Sequence, residues 1–77
     1  MAGKNRVLRS IETPDGGRCV DFFIRPDGSF GFEEYRREPE DMRGWFPIGF
    51  HGEKSFRCES EAEDKARATV SWLADVL

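Results

Sequence analysis

Apolar and polar positions alternate most regularly over residues 18–36, RCVDFFIRPDGSFGFEEYR. Val20, Phe22 and Ile24 take one side of a period-two pattern, and Cys19, Asp21 and Phe23 take the other. Pro26, Asp27 and Gly28 interrupt the pattern with turn chemistry, after which Phe30 and Phe32 resume the apolar side. The pattern predicts strands over 18–25 and 29–36 joined as a hairpin. Of the two loop lengths, the three-residue loop with Gly28 in the left-handed region pairs Ile24 with Phe30 and Phe22 with Phe32. A two-residue loop would put Ser29 and Gly31 on the apolar side, so the three-residue loop is preferred. This register sets Phe23 opposite Gly31. It also sets Asp21 opposite Glu33, a like-charge pair that counts against it.

An earlier strand is expected over residues 6–12, reached through a second Pro-Asp-Gly turn at Pro14, Asp15 and Gly16. Its register stays open. A loop that copies the first places Arg9 opposite Asp21, with Val7 and Ile11 on the outer side beside Phe23. A loop one residue longer turns Val7, Arg9 and Ile11 inward. Residues 37–44 read as a polar loop, and 45–50 (WFPIGF) as a short edge strand, because Pro47 lacks a ladder donor. His51, Gly52, Glu53 and Lys54 read as a turn. A helix is expected over 61–76, with Ser60 and Glu63 as a capping box. A start two residues earlier would use Cys58 as a poor cap. Ala62, Ala66, Thr69, Val70, Leu73, Val76 and Leu77 share one arc of the helix, and Trp72 sits at its edge.

These elements give an α+β fold: a three- or four-stranded antiparallel meander with one C-terminal helix packed on one face. The expected organisation is a single domain over 1–77, with a tail at 1–5, the sheet at 6–58 and the helix at 59–77. A single helix covers a single face. The outer face is then expected to carry Phe23 and Tyr35, and Val7 and Ile11 in one of the two registers.

Composition narrows the function classes. The chain has 77 residues, 35% charged and 38% hydrophobic, which suits one globular domain. Net charge is −3, unevenly spread: residues 1–25 hold five basic and three acidic side chains, and residues 26–64 hold five basic and eleven acidic. That balance opposes phosphate binding over the whole surface. The N-terminal residues lack an apolar signal segment, and no run approaches the length that spans a bilayer. With only two cysteines, this predicts a cytoplasmic protein with reduced thiols, a Cys19–Cys58 disulfide being the minor alternative.

Read in order, FFIRPDGSFGFEEYR, WFPIGF and SEAEDKARATVSWL resemble a group of short alphaproteobacterial proteins of unknown function. The resemblance runs from about residue 11 to residue 77 and implies no activity, cofactor or catalytic residue. In layout alone, the strand-strand-strand-helix order is similar to the arm-binding domains of tyrosine integrases and to plant AP2-type domains, whose sheets enter the DNA major groove.

The chemistry-bearing residues are few. His51, the only histidine, is expected in a solvated turn, and neither a nucleophile motif nor a glycine-rich phosphate loop is present. Glu33, Glu34, Glu38, Glu40 and Asp41 lack calcium-loop spacing, and Arg36, Arg37 and Arg43 interleave with them. No catalytic residue, metal or cofactor is expected. The candidate contact residues are Phe23, Arg25, Tyr35, Arg37 and Trp45, which mix aromatic and guanidinium groups as protein interfaces do. The same chemistry can stack single-stranded bases. A third reading has arginine stems covering Phe23 with no partner at all. The function expected is therefore a non-enzymatic protein-interaction or self-association module, a homodimer included. A nucleic-acid binder using the sheet face is the alternative.

Overall fold

A computed structural model of the chain describes residues 4–38, 44–48, 51 and 54–76. Four strands form one antiparallel sheet in the order of the chain: β1 (Arg6–Glu12), β2 (Arg18–Ile24), β3 (Phe30–Arg36) and β4 (Phe46–Ile48). Helix α1 (Glu59–Thr69) and a short helix α2 (Leu73–Val76) follow. The α+β meander with C-terminal helix is thus present, with four strands. Met1–Gly3 of the expected tail, residues 39–43 of the polar loop, and Gly49, Phe50, Gly52, Glu53 and Leu77 lie outside the described residues.

The second hairpin has the expected register: Ile24 pairs with Phe30, Phe22 with Phe32, Phe23 with Gly31 and Asp21 with Glu33. Gly28 sits at φ 88°, the left-handed conformation the three-residue loop demands. The first hairpin joins parts of both open registers. Its loop is one residue longer, since the Thr13 N–H donates to the Arg18 carbonyl at 3.0 Å. Arg9 therefore pairs with Phe22 and Ile11 with Val20, both on the inner face. A bulge at Leu8 then restores the other register, and Val7 pairs with Phe23 on the outer face.

The core lies between α1 and the inner face. Val20, Phe22, Phe32, Ala62, Ala66, Val70 and Leu73 are all buried, and Ile11, Phe30, Phe56 and Trp72 pack against them. The alanines let α1 approach β2 and β3 closely. Arg9 extends its guanidinium over the Phe22 ring, 5.0 Å from the centroid, and pairs with Glu63 of α1. It thus fastens edge strand to helix.

Two helix expectations need correction. Ser60 is not the cap. Helix α1 takes the earlier of the two expected starts, at Glu59 behind Cys58, whose side chain makes no cap bond, and Glu63 is drawn away by Arg9 and Arg67. The helix is also not continuous to Val76. Val70 turns extended (φ −95°, ψ 105°) while its N–H still donates to the Ala66 carbonyl. The break turns the chain so that the Trp72 indole N–H can donate to Glu34 on β3, at 2.9 Å.

Candidate functional site

The five candidate residues fall at two ends of the outer face. Phe23 and Arg25 lie near the Pro26-Asp27-Gly28 turn. Phe23 is not left uncovered, as expected from the single helix; it is only 7% exposed. Gly31 opposite it has no side chain, and the Arg25 guanidinium lies 5.0 Å from the Phe23 ring centroid. A Cβ on Gly31 would stand 2.8 Å from Arg25 Nη2 and 3.0 Å from the Phe23 ring. Arg25 also donates to the carbonyls of Phe30 (3.1 Å) and Lys54 (2.9 Å). It is a clamp between this turn and the segment that enters α1.

Tyr35, Arg37 and Trp45 gather at the other end. Tyr35 pairs with Cys19 on one side and with Pro47 on the other. Trp45 is 38% exposed just ahead of β4. The Arg37 guanidinium stacks on its ring at 4.5 Å, and Arg37 Nη2 donates to the Gly16 carbonyl at 3.0 Å. Between them runs a shallow groove of about 250 Å³ lined by Ser10, Glu12, Cys19, Asp21, Tyr35 and Trp45.

The groove is acidic. Asp21 accepts hydrogen bonds from the Ser10 hydroxyl (2.6 Å) and the Cys19 thiol (3.2 Å), and Glu33 accepts one from the His51 backbone N–H (3.2 Å). These donors relieve part of the repulsion between Asp21 and Glu33. Burial pushes the Cys19 thiol up to about 12, helped by its hydrogen bond to Asp21, so Cys19 is not a nucleophile near neutrality. Burial, then the charges of Asp21 and Glu33, also raises the Tyr35 phenol. Both cysteines are free; Cys58 is exposed, and the Ser60 hydroxyl lowers its thiol.

A second cluster lies beneath the sheet, where residue pattern alone gave a solvated histidine. His51 is buried, at 7% exposure, and stacks on Phe32 with centroids 5.0 Å apart. It occupies the β3 edge between β4 and Phe56, which exchanges two backbone hydrogen bonds with Phe30. His51 Nε2 lies 3.7 Å from Glu34 Oε1, while Glu34 Oε2 accepts from Trp72. Glu34 itself is buried, with Arg18 Nη1 3.8 Å away. One signal for this cluster was available. The register that puts Phe30 and Phe32 inside also puts Glu34 inside, where a carboxylate needs donors. Among the described residues, the Glu34 carboxylate thus faces the His51 imidazole with one oxygen and the Trp72 indole N–H with the other.

Comparison of the chain with protein-family models, curated proteins and solved structures finds no match.

Proposed function

We propose that this chain is a non-enzymatic protein-interaction module whose contact surface is the outer face around Tyr35 and Trp45. The observation that carries this reading is the aromatic-flanked groove on a sheet face over which, among the described residues, no helix packs. An exposed tryptophan held flat by an arginine offers a large contact area at little conformational cost. The acidic lining supports a partner that presents lysine or arginine to the groove. Phe23 and Arg25 leave the proposed surface, because each is engaged within the chain. The Asp21–Glu33 pair at the centre of the face repels phosphates, which counts against the nucleic-acid alternative.

Site-directed photo-crosslinking in the native cell tests the proposal. A crosslinker at position 35 or 45 should capture the same polypeptide, and one at Lys65 on the far side of α1 should not. Equal capture at all three positions, or none at 35 and 45, would refute it. If the captured polypeptide is the chain itself, sedimentation should show a concentration-dependent dimer that Trp45→Ala abolishes.

A further inference from the structure

The β2–β3 ladder contains a second like-charge pair, of opposite sign and on the opposite face. Arg18 stands directly across from Arg36. Such partners hold their Cβ atoms about 4.5–5.5 Å apart, where like charges destabilise a sheet. Both lie on the helix side past the end of α1 at Thr69, where the chain leaves the helix at Val70 and brings Trp72 to Glu34. What remains there is an open cleft of about 800 Å³. Arg18, Arg36 and Arg37 form one wall, and Ser71 and Trp72 form another; Asp15 and Glu38 are the carboxylates on the lining.

The cations are only partly compensated. Arg18 Nη1 is 3.8 Å from Glu34, beyond a hydrogen bond, and Glu34 already serves Trp72. Arg36 pairs with Glu38 at the surface, where both side chains are more than 40% exposed and such pairs are weak. Arg37 spends Nη2 on the Gly16 carbonyl. Each guanidinium carries five N–H donors in a planar fork suited to bidentate contact with phosphate oxygens. We infer that this cleft binds the phosphate or pyrophosphate group of a small molecule, held between Arg18 and Arg36 in place of Glu38. The inference does not rest on the protein-interaction reading: it uses Arg18 and Arg36 on the helix side, and only Arg37, which stacks on Trp45, is common to both sites.

The test is a titration of the full chain with sodium pyrophosphate at constant ionic strength. It is followed by the Trp72 indole N–H and the arginine Nε–H resonances, with citrate and sodium chloride as parallel arms. Saturable shifts confined to Trp72, Arg18 and Arg36 are expected, with at least tenfold weaker binding in Arg36→Gln. Arg36→Lys, which keeps the charge and loses the fork, should fall between the two. Removing one of two facing cations should leave the ligand-free melting temperature of Arg36→Gln equal or higher. A purely structural arginine would instead lower it without changing pyrophosphate affinity. A response to pyrophosphate no larger than that to chloride overturns the inference, and tighter binding of citrate overturns the assignment to phosphate.

Discussion

The two faces of the sheet are built from alternate residues of the same strands, yet they are held in different ways. On the inner face Val20, Phe22 and Phe32 lose contact with water under α1, and the buried carboxylate of Glu34 is given a donor. On the outer face two aromatic rings have their own local cover, while Val7 stays half exposed. Arg25 lies on Phe23, Arg37 lies on Trp45, and Asp21 accepts from Cys19. The difference teaches where this small domain keeps its stability and where it keeps its freedom. Burial beneath a helix is collective, and the loss of one member disturbs all. A guanidinium cover is local and can be exchanged for a partner.

Truncation should expose the contrast most strongly. Phe32→Ala removes a fully buried ring touching Phe22, Phe56 and His51, and should cost about 3–5 kcal/mol in denaturant unfolding. Phe23→Ala should cost only about 1.5–3 kcal/mol, because the flexible Arg25 can settle into the space. Equal losses would erase the distinction between the faces.

The next effect is read against pH. The folded Cys19 thiol titrates near 12 rather than 9.0, so its stabilising contribution is complete below pH 9 and is lost as pH rises towards 12. The raised Tyr35 phenol acts in the same direction. Unfolding free energy should fall by up to about 1.4 kcal/mol per pH unit above that point, and Cys19→Ala should flatten the slope. On the acid side the signs reverse. The Arg9 hydrogen bond lowers Glu63, and the Thr13 and Ser29 hydroxyls lower Asp15 and Asp27. Their contribution is present above the ordinary carboxylate values and is lost as pH falls below them, so Arg9→Gln should remove part of the acid limb.

Gly31→Ala tests the cover itself. The new methyl meets the end of Arg25 and the Phe23 ring, and the net cost should be about 1 kcal/mol, with the Arg25 guanidinium displaced. Smallest of all, Asp21→Asn removes one of two facing carboxylates and should stabilise the fold by about 0.2–1 kcal/mol, more at low salt than at high. A loss of stability instead would show that the Ser10 and Cys19 donors outweigh the repulsion.

The sheet was legible because the alternation of Val20, Phe22 and Ile24 against Phe30 and Phe32 admits one register that wastes no apolar residue. The first hairpin was not, because Val7, Arg9 and Ile11 point to one face only if no residue is extra, and a bulge leaves no mark on composition. The helix break at Val70 was hidden for a similar reason. Val70 and Leu73 fit the apolar arc whether or not the helix continues between them. His51 was misread because a histidine flanked by glycine looks like a turn residue, and its burial depends on Phe32 and Phe56, far from it in sequence. Tyr35 and Trp45 could be named from chemistry, but their meeting in one groove depends on the path of β4.

Leu8 gives the bulge one more meaning. The first turn is one residue longer than the second, and the bulge takes that residue back, so Val7 meets Phe23 where a tight turn would have put it. The two irregularities are one count, shared between loop and edge. Deleting Leu8 would leave every other recorded β1–β2 partnership in place and straighten the edge. The outermost strand therefore carries a spare residue, and its length can change by one without the core having to notice.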